Sequence, residues 1–432
     1  MSYQAIVTRI HTRPFLGADH ILLGDCMGYQ VIVGADTQDG DIGLFFEQGG
    51  QLSEEYAAAN DLIKRKNDDG SPAGGMFEPN RRVRAIKLRG ERSEGFWTPL
   101  SSLAFCCDPH SFSEGDQLDS AGKVPICTKY ETPATRAAQR NGKVGQPKAK
   151  AEMPKHVDTN HLRRGLDGIP IGARLYITEK LHGTSFRYGH VKVTRPATGM
   201  LAALARLFRR KATKTAWEHV NGSRNIILLR DGHEGFHGSD SFRAEATKNI
   251  YLHKGEIIFG ELVGYANGKA IMKPHVGPEL KEHFGKGGVT YTYGAEEGET
   301  KLFVYRIAIQ TEDGALQELS WEQVKGRCEE LGLAHVPEMR RTWNSAPLIL
   351  APGENDPEWP FILRDMLMHH VNEQVEIAKH STLDHRHPLE GVVVRWEYGN
   401  RWGVLKHKSF LFNLLEGRIK DSDDYVDTEE AA

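Results

Sequence analysis

The sequence has few cysteines, and their spacing excludes both a disulfide framework and a cysteine-rich zinc site. The 432 residues include five cysteines, an odd number without any C-x-x-C pair, which favours reduced thiols. No apolar run approaches the roughly 20 residues of a membrane helix. The beginning, MSYQAIVTRIHTRPF, lacks the basic and apolar regions of a secretory signal. We therefore expect a cytoplasmic protein with no membrane partner.

The sequence also lacks an excess of charge of one sign. Its 55 lysines and arginines nearly balance 58 aspartates and glutamates, which gives a formal net charge of −3. The charges are unevenly distributed, because residues 421–432 hold six acidic residues and no basic one. Without those six charges, residues 1–420 carry +3, and basic residues gather in the stretches 128–155 and 206–214. The small net charge therefore does not exclude a nucleic-acid partner.

Three common motifs are missing or misplaced. Gly-Lys pairs begin at residues 122, 142, 268 and 285, but no serine or threonine follows, so none of them is a P-loop. No G-x-G-x-x-G follows a predicted strand. Residues 233–237 match the zinc-protease motif H-E-x-x-H, but three glycines within residues 232–238 oppose the helix that the motif requires. We interpret this segment as a polar loop.

The length predicts two or three domains. In residues 1–127, short apolar runs alternate with glycine and aspartate turns, which is typical of a small barrel or sandwich. Residues 128–155 contain three prolines, many basic residues and few large apolar ones, which predicts a basic linker. In residues 156–420, strand candidates cluster around two helices, Trp321–Leu331 and Phe361–His380, which favours the α+β class. Residues 421–432 form an acidic tail.

A lysine with two accompanying cations is the strongest chemical signal. Lys180 ends a predicted strand in the segment EKLHGTS, where a glycine turn can direct its amine into a cleft. Lys406 and Lys408 are two residues apart on another predicted strand, so their side chains point the same way. Such cations bind phosphate and lower the pKa of a third amine, which makes a lysine nucleophilic.

Three further strands each bring one residue suited to nucleotide chemistry. Glu261 lies in the segment FGELVG, and Tyr305 in FVYRI can stack on a base. Glu390 leads the apolar segment EGVVVR, which suits a metal contact. Any one of these residues alone also fits an ordinary ion pair, a core ring or a solvated strand face. Their occurrence together, in order and on predicted strands, is what favours a shared site.

With these segments in this order, the sequence resembles the covalent nucleotidyltransferases: DNA ligases, RNA ligases and mRNA capping enzymes. Their pattern is a lysine in K-x-D/H/E-G, found here as Lys180-Leu181-His182-Gly183, followed by motifs Ia, III, IIIa, IV and V. His182 followed by Gly-Thr-Ser-Phe is similar to RNA ligases of the RNA ligase 2 type, and Asn221-Gly222-Ser223-Arg224 resembles their motif Ia. Only 24 residues follow Lys408, so we expect no OB domain after motif V.

The N-terminal segments ADHIL, VIVGA, LRG and SEG resemble an OB fold of the tRNA-binding type. An OB domain ahead of such a catalytic domain resembles the RNA ligase 5 family. The resemblance therefore implies an N-terminal OB-fold β-barrel in residues 1–127. A ligase-type nucleotidyltransferase domain, with antiparallel sheets and flanking helices, would follow in residues 156–420.

The resemblance also implies an activity. It is that of an ATP-dependent RNA ligase that joins 3′-OH and 5′-phosphate ends through lysyl-AMP and RNA-adenylate, in RNA repair. The substrates are ATP and RNA ends or nicked duplex RNA, the cofactor is Mg²⁺ or Mn²⁺, and the expected oligomeric state is a monomer. Two alternatives stay open at this point. One is a DNA-nick ligase of the same superfamily, and the other is a non-catalytic RNA-binding or tRNA-binding protein.

Site roles follow from the same resemblance, residue by residue. Lys180 would take AMP covalently and Glu390 would help hold the metal, directly or through water. Nucleotide contacts would come from Glu179, His182, Gly183, Arg224, Glu261, Tyr305, Lys406 and Lys408. Among these, Lys406 and Lys408 would contact phosphates, and Arg224 would contact the phosphate chain or the RNA end. Glu261 would contact the ribose and Tyr305 would stack on adenine. Arg306 departs from the family pattern, in which an acidic residue often follows this aromatic, and His182 stands where another branch has aspartate.

Overall fold

The chain divides after Thr132 into two structural units. The computed structural model describes residues 3–141, 149–198, 212–228, 234–235, 237–339, 348–349, 359–422 and 424–426. The first unit comprises the chain up to Thr132 together with Phe410–Ser422, and the second comprises Pro133–Ser409 and the residues after Ser422. Most of the basic stretch 206–214, His233 and most of the acidic stretch 421–432 lie outside the described residues.

The described chain is rich in short strands, most of which pair antiparallel. Strands of the first unit are β1 Ala5–Arg9, β2 His11–Pro14, β3 Ile21–Cys26, β4 Tyr29–Gly34, β5 Ile42–Glu47, β6 Gly50–Leu52, β7 Arg65–Lys66, β8 Pro72–Gly74, β9 Ile86–Leu88, β10 Glu91–Ser93, β11 Gly95–Pro99, β12 Gln117–Leu118, β13 Ser120–Ala121, β14 Val124–Pro125 and β15 Cys127–Lys129. Strands of the second unit are β16 Lys150–Ala151, β17 Asn160–His161, β18 Arg174–Lys180, β19 Thr184–Pro196, β20 Thr213–Gly222, β21 Ile227–Leu228, β22 Glu234–Gly235, β23 Gly238–Ser239, β24 Glu256–Ala266, β25 Lys269–Ala270, β26 His275–Val276, β27 Gly288–Val289, β28 Thr300–Gln310, β29 Leu316–Glu318, β30 Ala334–His335, β31 Leu348–Ile349, β32 Gly391–Tyr398 and β33 Arg401–Lys408.

The helices of the described chain are interspersed among the strands along the sequence. They are α1 Glu54–Ala59, α2 Pro133–Asn141, α3 Leu162–Gly165, α4 Ser241–Thr247, α5 Pro278–Phe284, α6 Trp321–Leu331, α7 Trp359–Ala378 and α8 Phe410–Ile419. Helix α6 begins at a capping box between Ser320 and Gln323 and ends at Gly332, whose φ of 65° is left-handed. These local signals explain why its sequence-predicted limits match the structure.

Strand β5 lies inside the first unit and is buried on both faces. It pairs with β1 and β11 in a sheet of order β11-β5-β1-β12. Because successive residues of a strand point to opposite faces, Phe45 and Phe46 enter two different hydrophobic clusters. This burial on both sides explains why residues 42–46 read as a continuous apolar run rather than an alternating one.

The second unit contains two sheets. Long strands form the larger one in the order β20-β19-β24-β28, with shorter strands at its edges. One face of this sheet buries Val191, Val193, Ile257 and Phe259. The smaller sheet has the order β17-β33-β32-β18-β31. Its apolar face packs against helix α7, which presents Leu367, Val371 and Val375 at the i, i+4, i+8 spacing of one helix face.

The stretch 128–155, predicted as a linker, contains regular structure in its described part. Helix α2 lies within it, and β16 pairs with the edge of β19. Ala149, Ala151 and Met153 are buried in the cluster around Val191 and Val193. Ala149 and Ala151 are small, and β16 joins the sheet mainly through backbone hydrogen bonds to the edge of β19.

The predicted α+β class, with antiparallel sheets and flanking helices, is confirmed. Glu234–Gly235 pairs with Gly238–Ser239 as a short hairpin, so the described part of the H-E-x-x-H segment is extended rather than helical. In the ranges that the structure describes, no helix combines the length and apolar character needed to cross a membrane.

Candidate active site

Strand pairing brings the predicted lysines and Glu390 to one end of the smaller sheet. Lys180, the last residue of β18, pairs with Gly391 of β32, and Gly391 pairs with Lys408 of β33. The Nζ of Lys180 lies 2.8 Å from Oε1 of Glu390, and the Nζ of Lys408 lies 3.3 Å from the same oxygen. Glu390 is only 1% exposed. One buried carboxylate is therefore shared by two ammonium groups.

A glycine permits this close packing. A Cβ at Gly391 would lie 2.1 Å from the carbonyl oxygen of His407 and 2.7 Å from Cα of Lys408. Because backbone atoms at these positions cannot move aside, a side chain at residue 391 would force β32 and β33 apart. The glycine of the E-G-hydrophobic-V segment thus keeps Glu390 next to Lys408.

His182 lies beside the carboxylate, inside an aromatic enclosure. Its Nδ1 is 3.9 Å from Oε2 of Glu390, and its ring centroid lies 5.4 Å from that of His275 and 5.0 Å from that of Tyr291. The backbone N–H of His182 donates to the hydroxyl oxygen of Tyr293 at 2.6 Å. Burial raises the pKa of Tyr293 well above its ordinary value, so this hydroxyl is neutral at physiological pH.

Glu179 faces away from Lys180, as strand alternation requires. Its buried carboxylate accepts hydrogen bonds from the backbone N–H of Thr382, at 2.9 Å, and from the Thr382 hydroxyl. Burial raises the pKa of this carboxyl. The Glu179 carboxylate therefore anchors the segment that leads toward Glu390, while the residue also lines the cavity described below.

Gly183 lies where the chain passes closely over β24. A Cβ at this position would lie 2.3 Å from the carbonyl oxygen of Leu262. Directly after this contact, Ser185 of β19 pairs with Glu261 of β24. The glycine therefore lets the segment after Lys180 join the larger sheet, which brings the buried Glu261 toward the lysine.

A β-bulge places Tyr305 beside the same site. Phe259 pairs with Arg306 and Gly260 pairs with Val304, so Tyr305 is an extra residue in β28. Because the bulge disturbs strict alternation, both Tyr305 and Arg306 line the cavity. The Tyr305 hydroxyl lies 3.1 Å from Nδ1 of His156, a residue of the segment between β16 and β17.

Arg224 lies just beyond β20, in the segment that resembles motif Ia. Its Nη2 is 2.9 Å from Oδ1 of Asp158. The buried Arg187 supports this segment by donating from Nε to the Ser223 carbonyl and from Nη2 to the Ile226 carbonyl, at 2.7 and 3.3 Å. The carbonyls on both sides of Arg224 are therefore fixed by one guanidinium.

A cavity of about 160 Å³ lies between the two sheets of the second unit. The predicted site residues on its walls are Glu179, Lys180, Arg224, Glu261, Tyr305 and Lys406. His182, Gly183, Glu390 and Lys408 are not among the lining residues, but the ion pairs above place Glu390 and Lys408 against Lys180. The structure thus brings the predicted residues into one site, with anionic and cationic groups at the Lys180 end and aromatic groups around Tyr305.

A sequence model of the RNA ligase family matches residues 173–412, which is more than half of the chain. The chain belongs to the RNA ligase family. The matched range contains every residue that the sequence assigns to the site, and the prediction of an RNA ligase is confirmed. No curated protein sequence matches the chain.

Solved structures of an RNA ligase share the fold over nearly the whole chain. A variant of Naegleria gruberi RNA ligase with ATP and manganese matches with a TM-score of 0.54 at 14% identity, covering 96% of this chain and 98% of that chain. A variant with AMP and manganese gives 0.56 at 14% identity and covers 98% and 99%. The same ligase with pyrophosphate gives 0.56 at 15% identity and covers 94% and 97%. At 14–15% sequence identity, these matches establish a shared fold.

Sequence motifs missed several residues of this RNA ligase family site. Tyr291, Tyr293 and His275 surround His182 but lie in a segment between motifs, where only the pattern T-Y-T-Y-G gives a weak signal. His156 and Asp158 come just after the predicted linker 128–155, where nothing indicated a contact with Tyr305 or Arg224. Contacts of this kind depend on the tertiary fold and leave no periodic signal in the sequence.

A metal ion at this site would have few protein donors. Among the described residues, no group of three or more histidine, cysteine, aspartate or glutamate side chains is placed to hold a metal ion. Mg²⁺ and Mn²⁺ do not need such a cage, because Mg²⁺ in particular is often bound by one or two carboxylates with substrate phosphates and water. Glu390, buried next to Lys180, fits that role as the protein ligand of the ion.

Proposed function

We propose that this RNA ligase uses ATP, and that Lys180 takes AMP on its Nζ as the first step. The observation that carries the proposal is the position of Nζ, 2.8 Å from Glu390 and beside a cavity that Glu261, Tyr305 and Lys406 line. The related Naegleria ligase, whose structures contain ATP, AMP, manganese or pyrophosphate, supports the same ligands here. Glu390 would hold Mg²⁺ or Mn²⁺, which would neutralise charge on the phosphates.

The first step follows from amine and phosphate chemistry. The neutral Nζ of Lys180 forms a P–N bond to the α-phosphorus of ATP, the bond to the bridging oxygen breaks, and pyrophosphate leaves as the amine loses a proton. The cations of Lys406 and Lys408 favour the neutral amine and stabilise the charge that develops on phosphate oxygens. In contrast, the ion pair with Glu390 favours the ammonium form of Lys180.

The remaining roles are also part of the proposal. Tyr305 stacks on adenine, Glu261 binds the ribose, and Arg224 binds the phosphate chain or the RNA end. Glu179, His182 and Gly183 shape the nucleotide site around Lys180. AMP then passes to an RNA 5′-phosphate, and an attacking 3′-OH expels AMP and closes the strand. Each of these exchanges replaces one bond to phosphorus by another and needs no redox partner.

For the first unit, we propose an OB-fold β-barrel in residues 1–127 that binds RNA. Support comes from its antiparallel sheets and from β5, which is buried on both faces as a barrel strand can be. We further propose a basic linker in residues 128–155, catalytic residues within 156–420 and an acidic tail in 421–432. Action as a monomer in RNA repair, and membership of the RNA ligase 5 family, belong to the same proposal.

Adenylation tests the central claim. Incubation with α-labelled ATP and Mg²⁺ or Mn²⁺ should label the wild-type chain, and chelation with EDTA should prevent the label. Lys180→Ala should abolish labelling, whereas Lys269→Ala, at the exposed start of β25, should keep it. A label that persists in Lys180→Ala would contradict the assignment of the nucleophile, and a wild-type chain that binds RNA without labelling would contradict the enzyme.

Sealing assays test the substrate class. Matched nicks should be compared in which only the strand chemistry, RNA or DNA, differs. We expect faster sealing of the nick with RNA strands at equal enzyme concentration. A preference for the DNA nick would contradict the proposal and favour a DNA-nick ligase.

A further inference from the structure

Arg306 directly follows the aromatic residue proposed to stack on the base. It is the position at which the sequence departs from the acidic residue that the family resemblance implies. Arg306 is only 5% exposed and lines the cavity beside Tyr305. A charged side chain at such a place needs partners, because burial of an unpaired cation is strongly unfavourable.

Two sets of contacts fix the Arg306 guanidinium. Its Nε donates to both carboxylate oxygens of Glu318, at 2.9 and 3.1 Å, and its Nη2 also donates to Glu318. Its Cζ lies 4.0 Å from the ring centroid of Phe259 and 5.3 Å from that of Trp402. The guanidinium plane is therefore held by a carboxylate along one edge and by aromatic rings.

The third nitrogen of the Arg306 guanidinium, Nη1, does not contact Glu318. Nη1 of Arg306 is buried and has no hydrogen-bond partner among the residues that the structure describes. An N–H donor left unsatisfied in a buried place is costly, and natural proteins rarely keep one without a reason. Since Arg306 lines the cavity, a bound molecule can supply the missing acceptor.

The position favours a base over a phosphate as that acceptor. Glu318 neutralises the charge of Arg306, so the pair has little net attraction for a polyanion. Two other basic residues that line the cavity, Lys406 and Arg224, are suited to phosphate, whereas Arg306 directly follows Tyr305 in the chain. A base that stacks on Tyr305 presents its edge, with neutral ring nitrogens as acceptors, to groups around the ring.

We propose that Arg306 is a specificity-determining residue that donates from Nη1 to a ring nitrogen of the purine bound in the cavity. This inference rests on the proposed adenylation by ATP. Glu318, Phe259 and Trp402 act as positioning residues, because they hold the guanidinium in place without touching the base.

Nucleotide analogues and a conservative variant test the proposal together. Lysyl-nucleotide formation should be measured with ATP and with 1-deaza-, 3-deaza- and 7-deaza-ATP, in which one ring nitrogen at a time is replaced by C–H. In the wild-type enzyme, one analogue should react about tenfold less efficiently than the other two, because it leaves Nη1 without an acceptor. Arg306→Lys keeps the positive charge and the pairing with Glu318 but has no second nitrogen in the place of Nη1. It should lose efficiency with ATP and show no preference against that analogue.

Two further variants separate base recognition from folding. Arg395→Lys is a matched control, because Arg395 also lies over Trp402, at 5.1 Å, but donates to Glu397 and to the Leu319 carbonyl. Glu318→Gln weakens the anchor while keeping Nη1. Arg395→Lys should retain the wild-type discrimination between analogues, whereas Glu318→Gln should reduce it, because Nη1 of Arg306 is then held less firmly.

Failure of the role proposed for Arg306 can be distinguished from failure of the proposed adenylation. If wild-type protein forms no lysyl-AMP, the proposed function fails first. If it does, equal losses for ATP and all three analogues in Arg306→Lys would overturn the role of Arg306. Wild-type indifference to every deaza substitution would overturn it as well.

Discussion

The backbone N–H of His182 and the hydroxyl oxygen of Tyr293 are joined by a hydrogen bond of 2.6 Å. His182 is two residues from Lys180, so this bond fixes the turn that carries the proposed nucleophile. Tyr293 adopts a left-handed backbone conformation, with φ of 53°, which is unusual for a tyrosine. The surrounding structure therefore holds Tyr293 in a costly conformation beside the site.

We predict that Tyr293→Phe slows lysyl-AMP formation about tenfold, because the buried N–H of His182 loses its acceptor. The KM for ATP should change little, since Tyr293 does not line the cavity. Single-turnover adenylation measures the effect. Tyr188→Phe is a matched control, because its buried hydroxyl also bonds to backbone, the Ile250 carbonyl at 3.2 Å. An equal slowing in both variants would show that general stability is the cause.

Arg187 supports the segment that carries Arg224. Its Nη1 donates to the Pro154 carbonyl at 2.7 Å, in addition to the bonds with Ser223 and Ile226. Burial lowers its pKa to about 10, so it stays protonated at physiological pH. Arg187→Met would leave three backbone carbonyls without their donor, which should reduce the free energy of unfolding by about 3 kcal/mol or more.

Urea unfolding measures this loss, and an exposed arginine provides the comparison. Arg195 pairs with Glu218 at 2.7 Å, with side chains 44% and 33% exposed, so Arg195→Met should cost less than about 1 kcal/mol. Similar losses for Arg187→Met and Arg195→Met would contradict the structural role of Arg187.

Local sequence signals predicted the main strands and helices well. Strands β18, β24, β28, β32 and β33 begin or continue where apolar runs predicted them, and α6 has the predicted limits. Capping residues and strand alternation act locally, so a sequence shows them directly.

Contacts between distant segments were not predictable in the same way. The ordered motifs placed Lys180, Glu390 and Lys408 in one site, but no pattern indicated that Tyr293 would reach His182. The bulge at Tyr305 is a register shift between two strands, and a single strand's sequence does not specify it. The departure at Arg306 was visible in the sequence, but its meaning required the partners Glu318 and Trp402.

Asp384 gives a prediction about acid stability. It holds the segment of Tyr293 through the Thr292 hydroxyl and the Gly294 N–H, both at 3.2 Å. Although burial opposes ionisation, hydrogen bonds from Arg386 lower the pKa of Asp384 far below its ordinary range. A carboxyl with a lowered folded pKa stabilises the fold above its unfolded pKa, near 4, and loses this contribution as pH falls toward the folded value.

The expected result is a stability advantage of wild type over Asp384→Asn that is full above about pH 5 and shrinks below about pH 4. Chemical unfolding at several pH values measures it. Arg386→Met should weaken the dependence on pH, because it removes the main donor to Asp384. An advantage that stays constant from pH 6 to pH 2 would refute this role of the ionised carboxylate.

The carboxylate of Asp158 pairs with the guanidinium of Arg224, with 2.9 Å between Oδ1 and Nη2. A phosphate that binds Arg224 must compete with this carboxylate. Asp158→Asn removes the competing charge and should lower the KM for ATP about two- to fivefold, the range expected for an exposed ion pair. Asp167→Asn is the control, because it changes net charge equally at an exposed residue that does not line the cavity. If both variants lower KM alike, the effect is one of overall charge, and an unchanged KM in Asp158→Asn would show that Arg224 does not bind the phosphates of ATP.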